Sequence, residues 1–287
     1  MTVVFRDEEI EASSGKGAGD ENFPVGSFLI AAPLRPHVRA YYDFARAADD
    51  IGDAPHLSAI EKVRRLDAFR RVLEGDAEGL TRPAELRRAL LEAGIPLARG
   101  TDLLSAFSQD AVKSRYRSLL ELLDYCRRSA NPVGQFLLDL HGEDRALFSA
   151  SDALCTSLQI LNHLQDARDD LAALDRCYLP MDWLAEEGAE VGHLSADRAS
   201  PGLRRVMDRL LGVCADLNSE AERLVTGLKS RRLAAESAVI LRLAKRLQKK
   251  LLAGDPVAGR VALTKADFLS AGAGGVFATA FSGRRAA

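Results

Sequence analysis

The sequence predicts an all-α protein, one large helical domain packed around a central cavity. Apolar residues recur at spacings of three and four through most of residues 21–270, strand-like alternation is scarce, and the breaks are short turns rather than linkers. Residues 1–20, which include Ser13-Ser14-Gly15-Lys16-Gly17-Ala18-Gly19, read as a flexible leader. Helical runs come next in order, as in Leu119, Leu122, Leu123 and Cys126, then Val206, Leu210, Val213, Cys214 and Leu217, then Ala238, Leu241, Ala244 and Leu247. Ala54-Pro55, Thr81-Arg82-Pro83, Gly94-Ile95-Pro96, Asn131-Pro132, His141-Gly142-Glu143-Asp144 and Leu179-Pro180 act as stops, with Thr101 and Ser149 or Ser151 as N-caps. This punctuation yields about ten or more helices. Residues 271–287 form a Gly/Ala-rich tail, read as flexible, with docking of an apolar product as the alternative.

Composition narrows the function. The chain has 287 residues and 47% hydrophobic content, enough for a large core. A net charge of −2 and a pI near 6.3 supply no global basic field, so no nucleic-acid partner is expected. The paired arginines, such as Arg64-Arg65 and Arg204-Arg205, read as solvated helix faces. Cys126, Cys155, Cys177 and Cys214 make no metal-binding spacing and read as buried thiols of a reducing compartment. The start carries no signal-peptide pattern and no window is apolar enough to span a bilayer, so the expected location is cytoplasmic, with peripheral contact at the inner membrane face left open.

Two carboxylate clusters carry the chemistry. Asp49-Asp50-Ile51-Gly52-Asp53 and Asn162-His163-Leu164-Gln165-Asp166-Ala167-Arg168-Asp169-Asp170 both fall in helical stretches. Residues four apart share a helix face, so Asp49 pairs with Asp53, and Asn162, Asp166 and Asp170 form a stripe. Like charges so spaced repel, and divalent cations resolve the repulsion. Oxygen-only ligands favour Mg2+, which takes few carboxylates together with substrate phosphates, so a diphosphate substrate is implied. The plain alternative is two solvated acidic faces. The apolar surroundings of the second cluster (Leu154, Leu158, Ile160, Leu161, Leu164) weigh against it, because Gln159, Asn162 and Asp166 would project from a largely buried helix and need partners.

Arg46, three residues before Asp49, shares its face, either gripping a diphosphate oxygen or pairing with Asp49 or Asp50. Tyr42 continues that face and could offer a ring to a cation, as could Phe23, Phe28, Phe44, Phe107 and Phe136, unless they are plain core.

Four ordered segments then resemble the squalene/phytoene synthase family: Glu21-Asn22-Phe23-Pro24-Val25-Gly26-Ser27; Tyr42 through Asp53; Tyr125-Cys126-Arg127-Arg128-Ser129-Ala130-Asn131-Pro132-Val133-Gly134; and Ala153 through Pro180. Within the family, Glu-Asn-Phe-Pro-Val, Ser-Ala-Asn-Pro-Val-Gly and Leu-Gln-Asp are similar to the bacterial hydroxysqualene synthases of squalene and hopanoid biosynthesis. The resemblance implies the all-α isoprenoid synthase fold over residues 21–270. It implies Mg2+ held by Asp49 and Asp53 and by Asn162, Asp166 and Asp170. It also implies substrate contacts from Arg46, Gln159, Tyr178, Arg260, Phe23 and Ser27, with Tyr42 and Asp110 lining the pocket as catalytic groups.

The reaction so implied ionises presqualene diphosphate, a prenyl diphosphate, and captures the rearranged cation with water, without NADPH. The same resemblance implies coupling to an upstream presqualene diphosphate synthase and a downstream hydroxysqualene reductase. Gln165 stands where condensing relatives carry Arg, which suggests it as the residue that holds the water. Two departures are Gly52 in place of a more usual alanine and Gln135 in place of Arg. A condensing prenyl synthase and a non-catalytic helical scaffold remain as alternatives.

Overall fold

The computed structural model describes residues 3–11 and 30–272. In chain order its elements are β1 (Val3–Val4), α1 (Asp7–Ile10), α2 (Arg35–Asp53), α3 (Ala59–Glu74), β2 (Ala77–Glu78), α4 (Thr81–Glu92), α5 (Ala98–Asp110), β3 (Arg115–Tyr116), α6 (Leu119–Ser129), α7 (Asn131–Leu140), α8 (Phe148–Leu174), β4 (Cys177–Pro180), α9 (Met181–Glu186), α10 (Pro201–Glu220), α11 (Glu222–Gly227) and α12 (Arg231–Ala253). The strands make two small parallel pairs, β1 with β2 and β3 with β4. Internal contacts define two compact units, the first reaching Lys113 and adding Arg128–Gly142, the second comprising Ser114–Arg127 and the chain from Glu143 onward.

In the first unit α2 supplies the central face. Val38, Tyr41, Phe44, Ala48 and Ile51 keep to the helical period and are all buried, packed with Leu66, Phe69 and Leu73 of α3 and Leu86 and Leu90 of α4. Phe44 meets Phe69 with ring centroids 5.9 Å apart, and Phe136 of α7 stacks on Tyr41 at 4.2 Å. Both Phe44 and Phe136 are therefore core rather than cavity lining. Ser58 caps α3, its Oγ accepting the Glu61 amide at 3.2 Å.

Residues 3–11 depart from the flexible leader expected of them. Phe5 N–H donates to Glu78 O at 2.8 Å, Ile10 is buried, and Arg65 Nη1 donates to Ile10 O at 3.1 Å. Asp7 accepts from the Thr81 amide at 2.9 Å and the Thr81 hydroxyl at 2.5 Å. Leu80, at the N-cap of α4, has no side-chain acceptor, so Asp7 provides the capping carboxylate from 74 residues away. Composition registers none of this, because the partners are distant in sequence.

The second unit is built on α8, α10 and α12, which pack against one another. Leu154, Ile160, Leu161 and Leu164 of α8 are buried, as are Leu203, Val206, Leu210 and Cys214 of α10 and Leu243, Ala244 and Leu247 of α12. A buried polar chain joins the three helices: Ser157 Oγ donates to Asn218 Oδ1 at 2.9 Å, Asn218 Nδ2 to Gln248 Oε1 at 3.1 Å, and Gln248 Nε2 to Leu211 O at 2.7 Å. Ser200 and Ser230 cap α10 and α12.

Thr101, Ser149 and Ser151 lie inside α5 and α8 instead of capping them, since those helices begin at Ala98 and Phe148. Thr81-Arg82-Pro83 opens α4 instead of stopping a helix, as proline is tolerated in a first turn whose amides have no intrahelical acceptor. Helix α8 ends on Asp175, whose φ of 51° is left-handed. Arg115 Nη2 donates to Asp175 Oδ1 at 2.6 Å and offsets the cost of that conformation. Residues 265–272 are helical, and the tail beyond Gly272 lies outside the described residues. Cys126, Cys177 and Cys214 are buried free thiols, and burial pushes Cys214 up to about 12.

Candidate active site

The site residues expected from sequence fall into two groups, each within one unit. In the first, Tyr42, Arg46, Asp49 and Asp53 succeed one another along α2, and Asp110 ends α5, buried. Arg46 lies among carboxylates, Nη1 being 3.1 Å from Asp49 Oδ2 and Nη2 2.5 Å from Asp50 Oδ1. Of the two roles open to Arg46, the described structure has it in the intrahelical ion pairs.

One guanidinium does not neutralise this group. The Asp49 carboxyl is pushed up to about 8, first by burial and then by the Asp53 charge; Arg46 pulls it back, and Asp50 and Asp110 push it further. One edge of that carboxyl still meets solvent. A carboxyl crowded by three others is a site short of positive charge, and its donors are all oxygen. The group therefore fits a hard divalent cation such as Mg2+. Among the described residues no three His, Cys, Asp or Glu side chains converge as a ready-made ligand cage.

Gly52 sits between the two acids of α2. A Cβ built there would lie 3.7 Å from Phe107 Cβ, an ordinary contact, and Lys62 Nζ donates to Gly52 O at 2.8 Å near the helix end. Gln135, the other departure, has a local partner: its Oε1 accepts from Arg99 Nη1 at 2.6 Å, while Arg99 also pairs with Asp139 at 3.0 Å.

The second group lines α8. Asp152, Cys155, Gln159, Asn162, Asp166 and Asp170 are half-buried at spacings of three and four, while the flanking faces are buried. A single polar stripe thus runs along a helix whose other residues are mostly buried from Ala150 to Ala167, while Arg168 and Asp169 beyond them are exposed. Arg260 Nε stands 3.2 Å from Asp166 Oδ1. Gln159 Nε2 lies 3.1 Å from His163 Nε2, and Tyr178 of β4 stacks on the His163 ring, with Tyr116 and Tyr125 completing an aromatic cluster. Burial, aided by Arg176, pushes His163 down to about 3, so the ring is neutral at ordinary pH.

Gln165 has a partner that sequence did not suggest. It is buried, and its Nε2 donates to Val261 O at 2.6 Å. His163 and Arg168 were missed as individual contributors, although both stand within the second acidic segment; Asp50 was expected only as an ion-pair partner of Arg46. Phe23 and Ser27 lie outside the described residues.

The chain is mostly helical with oxygen-rich acidic stripes on two of its helices, and its fold is the isoprenoid synthase fold. The sequence pattern of the squalene/phytoene synthase family matches residues 17–267, and the chain belongs to that family of enzymes. It is 42% identical to the hydroxysqualene synthase of Rhodopseudomonas palustris (strain ATCC BAA-98 / CGA009), over 92% of this chain and 90% of that one. It is 40% identical to the hydroxysqualene synthase of Zymomonas mobilis subsp. mobilis (strain ATCC 31821 / ZM4 / CP4), over 89% and 87%. The crystal structure of squalene synthase HpnC from Alicyclobacillus acidocaldarius superposes with a TM-score of 0.70 at 32% identity, covering 78% of this chain and 85% of that one. Among the described residues no helix is long and apolar enough to cross a membrane.

Proposed function

We propose that this enzyme is a hydroxysqualene synthase, converting presqualene diphosphate and water into hydroxysqualene and diphosphate without NADPH. The observation that carries the reading is the 42% identity with a hydroxysqualene synthase over nine-tenths of both chains. The carboxylate crowding at Asp49 and the polar stripe of α8 support it.

In this reading Asp49 and Asp53, and Asn162, Asp166 and Asp170, would hold Mg2+. Bound there, the metal supplies Lewis-acid charge that stabilises the departing diphosphate. The C–O bond to diphosphate breaks with its electron pair on the leaving group, and Arg46 and Arg260 add positive charge where that anion forms. Tyr42 offers its ring to the cation, and Tyr178, stacked on His163, stands on the diphosphate side. Water adds at one carbon of the rearranged cation and loses a proton, which closes the balance without a reductant. Asp110 adds to the negative potential that favours cations near Asp49. A chain supplying presqualene diphosphate acts upstream and a reductase consuming the allylic alcohol acts downstream. The enzyme works on the cytoplasmic side, with peripheral membrane contact giving its apolar product an exit.

The test is incubation of the protein and Mg2+ with presqualene diphosphate in 18O-labelled water, and separately with farnesyl diphosphate, both without NADPH, with products read by mass spectrometry. A labelled C30 alcohol from the first tube alone is expected. Conversion of farnesyl diphosphate to a C30 diphosphate would replace this reading with a condensing synthase.

A further inference from the structure

Beyond α12 the chain runs back across α8, and side chains fix it at successive carbonyls. Arg204 of α10 donates from Nη1 to Gly254 O at 2.5 Å and from Nη2 to Leu252 O at 3.1 Å. Asp255 accepts from the Ala199 amide at 2.9 Å and caps its own turn through the Val257 amide, also at 2.9 Å. Two residues of α8 hold the stretch from Val257 to Val261: Arg168 Nη1 donates to Val257 O at 2.7 Å, and Gln165 Nε2 donates to Val261 O at 2.6 Å. Val257 is completely buried beneath this turn. Arg260 is half exposed at the end of the strap, and its Nε meets Asp166 at 3.2 Å.

The geometry is that of a clamp. Gln165 and Arg168 stand three apart on one face of α8, next to Asp166. They grip carbonyls on either side of Arg260, one residue after it and three before. A long arginine on an exposed segment would otherwise spend much of its time elsewhere, since ordering such a side chain costs rotamer entropy.

Resting on the function proposed above, we propose that Gln165 and Arg168 are positioning residues, which hold the 254–261 segment on α8 so that Arg260 is presented beside Asp166. Gln165 then acts through the Val261 carbonyl and does not hold the captured water. Its buried Nε2 is committed to that bond, and its Oε1 has no hydrogen-bond partner among the described residues.

The test joins a structural readout to a kinetic one on the full-length protein. Gln165→Leu keeps the volume and removes the donor; Arg168→Met does the same at the second carbonyl, and Arg168→Lys restores one donor. Hydrogen exchange of peptides covering residues 256–262 is expected to lose protection in Gln165→Leu and Arg168→Met and to recover it in Arg168→Lys. Diphosphate release from presqualene diphosphate with Mg2+ is expected to fall in kcat by about 10- to 100-fold in the first two variants. Added to Arg260→Ala, Gln165→Leu is expected to cost little more, because both changes remove the same contact.

Unchanged protection, or a loss fully additive with Arg260→Ala, would overturn the proposal. A shift of product away from the alcohol at unchanged protection would restore Gln165 to the water. Absence of turnover in the unsubstituted protein would instead sink the proposed function, and the exchange data would still decide whether Gln165 and Arg168 hold the segment.

Discussion

His163 lies flat on Tyr178, with ring centroids 3.5 Å apart and planes 12° from parallel. The stack comes from two elements, α8 and β4, brought together by the turn at Asp175. Its His163 member accepts from Gln159 and is held neutral. The folded-state value, about 3, lies below the ordinary 6.5. The group therefore contributes stability that is fully present above pH 6.5 and lost as pH falls toward 3. His163→Phe keeps a ring on Tyr178 and removes the titration. Thermal unfolding monitored from pH 7 to pH 4 is expected to show a shallower decline for the variant than for the parent protein.

Asp49 has the opposite sign. Its folded-state value is raised to about 8, so the metal-free protein holds a proton there near neutrality, which the proposed cation would displace. Mg2+ affinity is expected to rise from pH 6.5 to pH 8.5, with proton release detected by calorimetry in buffers of different ionisation enthalpy. Asp49→Asn should remove that proton release. Asp49→Asn and Asp166→Asn should each abolish Mg2+-dependent turnover while leaving helicity by circular dichroism unchanged; retained activity in both sinks the metal assignment.

Gly52 costs α2 stability without a steric reason. The position is helical, and a Cβ there meets Phe107 at ordinary contact distance. Gly52→Ala is expected to stabilise the protein by about 1 kcal/mol, raising Tm by roughly 2–4 °C in a chain of this size. A lower Tm would show that Phe107 cannot accommodate the methyl group.

Asn218 is fully buried between Ser157 and Gln248 and satisfies both. Asn218→Leu strands a hydroxyl and an amide together in the core. A loss of about 2–6 kcal/mol is expected by urea unfolding, from two orphaned polar groups at about 1–3 kcal/mol each. A near-neutral result would mean that the network rearranges around the leucine.

The helices and the spacing of the candidate site residues were legible in the sequence for the same reason: both are local. Helical period needs only neighbours three and four apart, so Val206 through Leu217 and Ala238 through Leu247 announce α10 and α12 without knowledge of what they touch. The acids at 49 and 53 and the stripe from Asn162 to Asp170 share faces by the same period, and their ordered motifs establish the family. Helix starts were less legible: Thr101, Ser149 and Ser151 lie inside helices, the capping serines are Ser58, Ser200 and Ser230, and α4 borrows its cap from Asp7.

Tertiary structure decided the rest. It ordered residues 3–11 against β2 and α4, gave Arg46 to Asp49 and Asp50, and buried Phe44 and Phe136 in the core. It also turned Gln165 toward a carbonyl 96 residues further along the chain. Each of these outcomes depends on which surfaces pack together, and the donors and acceptors involved carry no signal in their own sequence neighbourhoods. A hydrogen bond requires only that two groups meet, and it is the packing of distant segments that makes them meet.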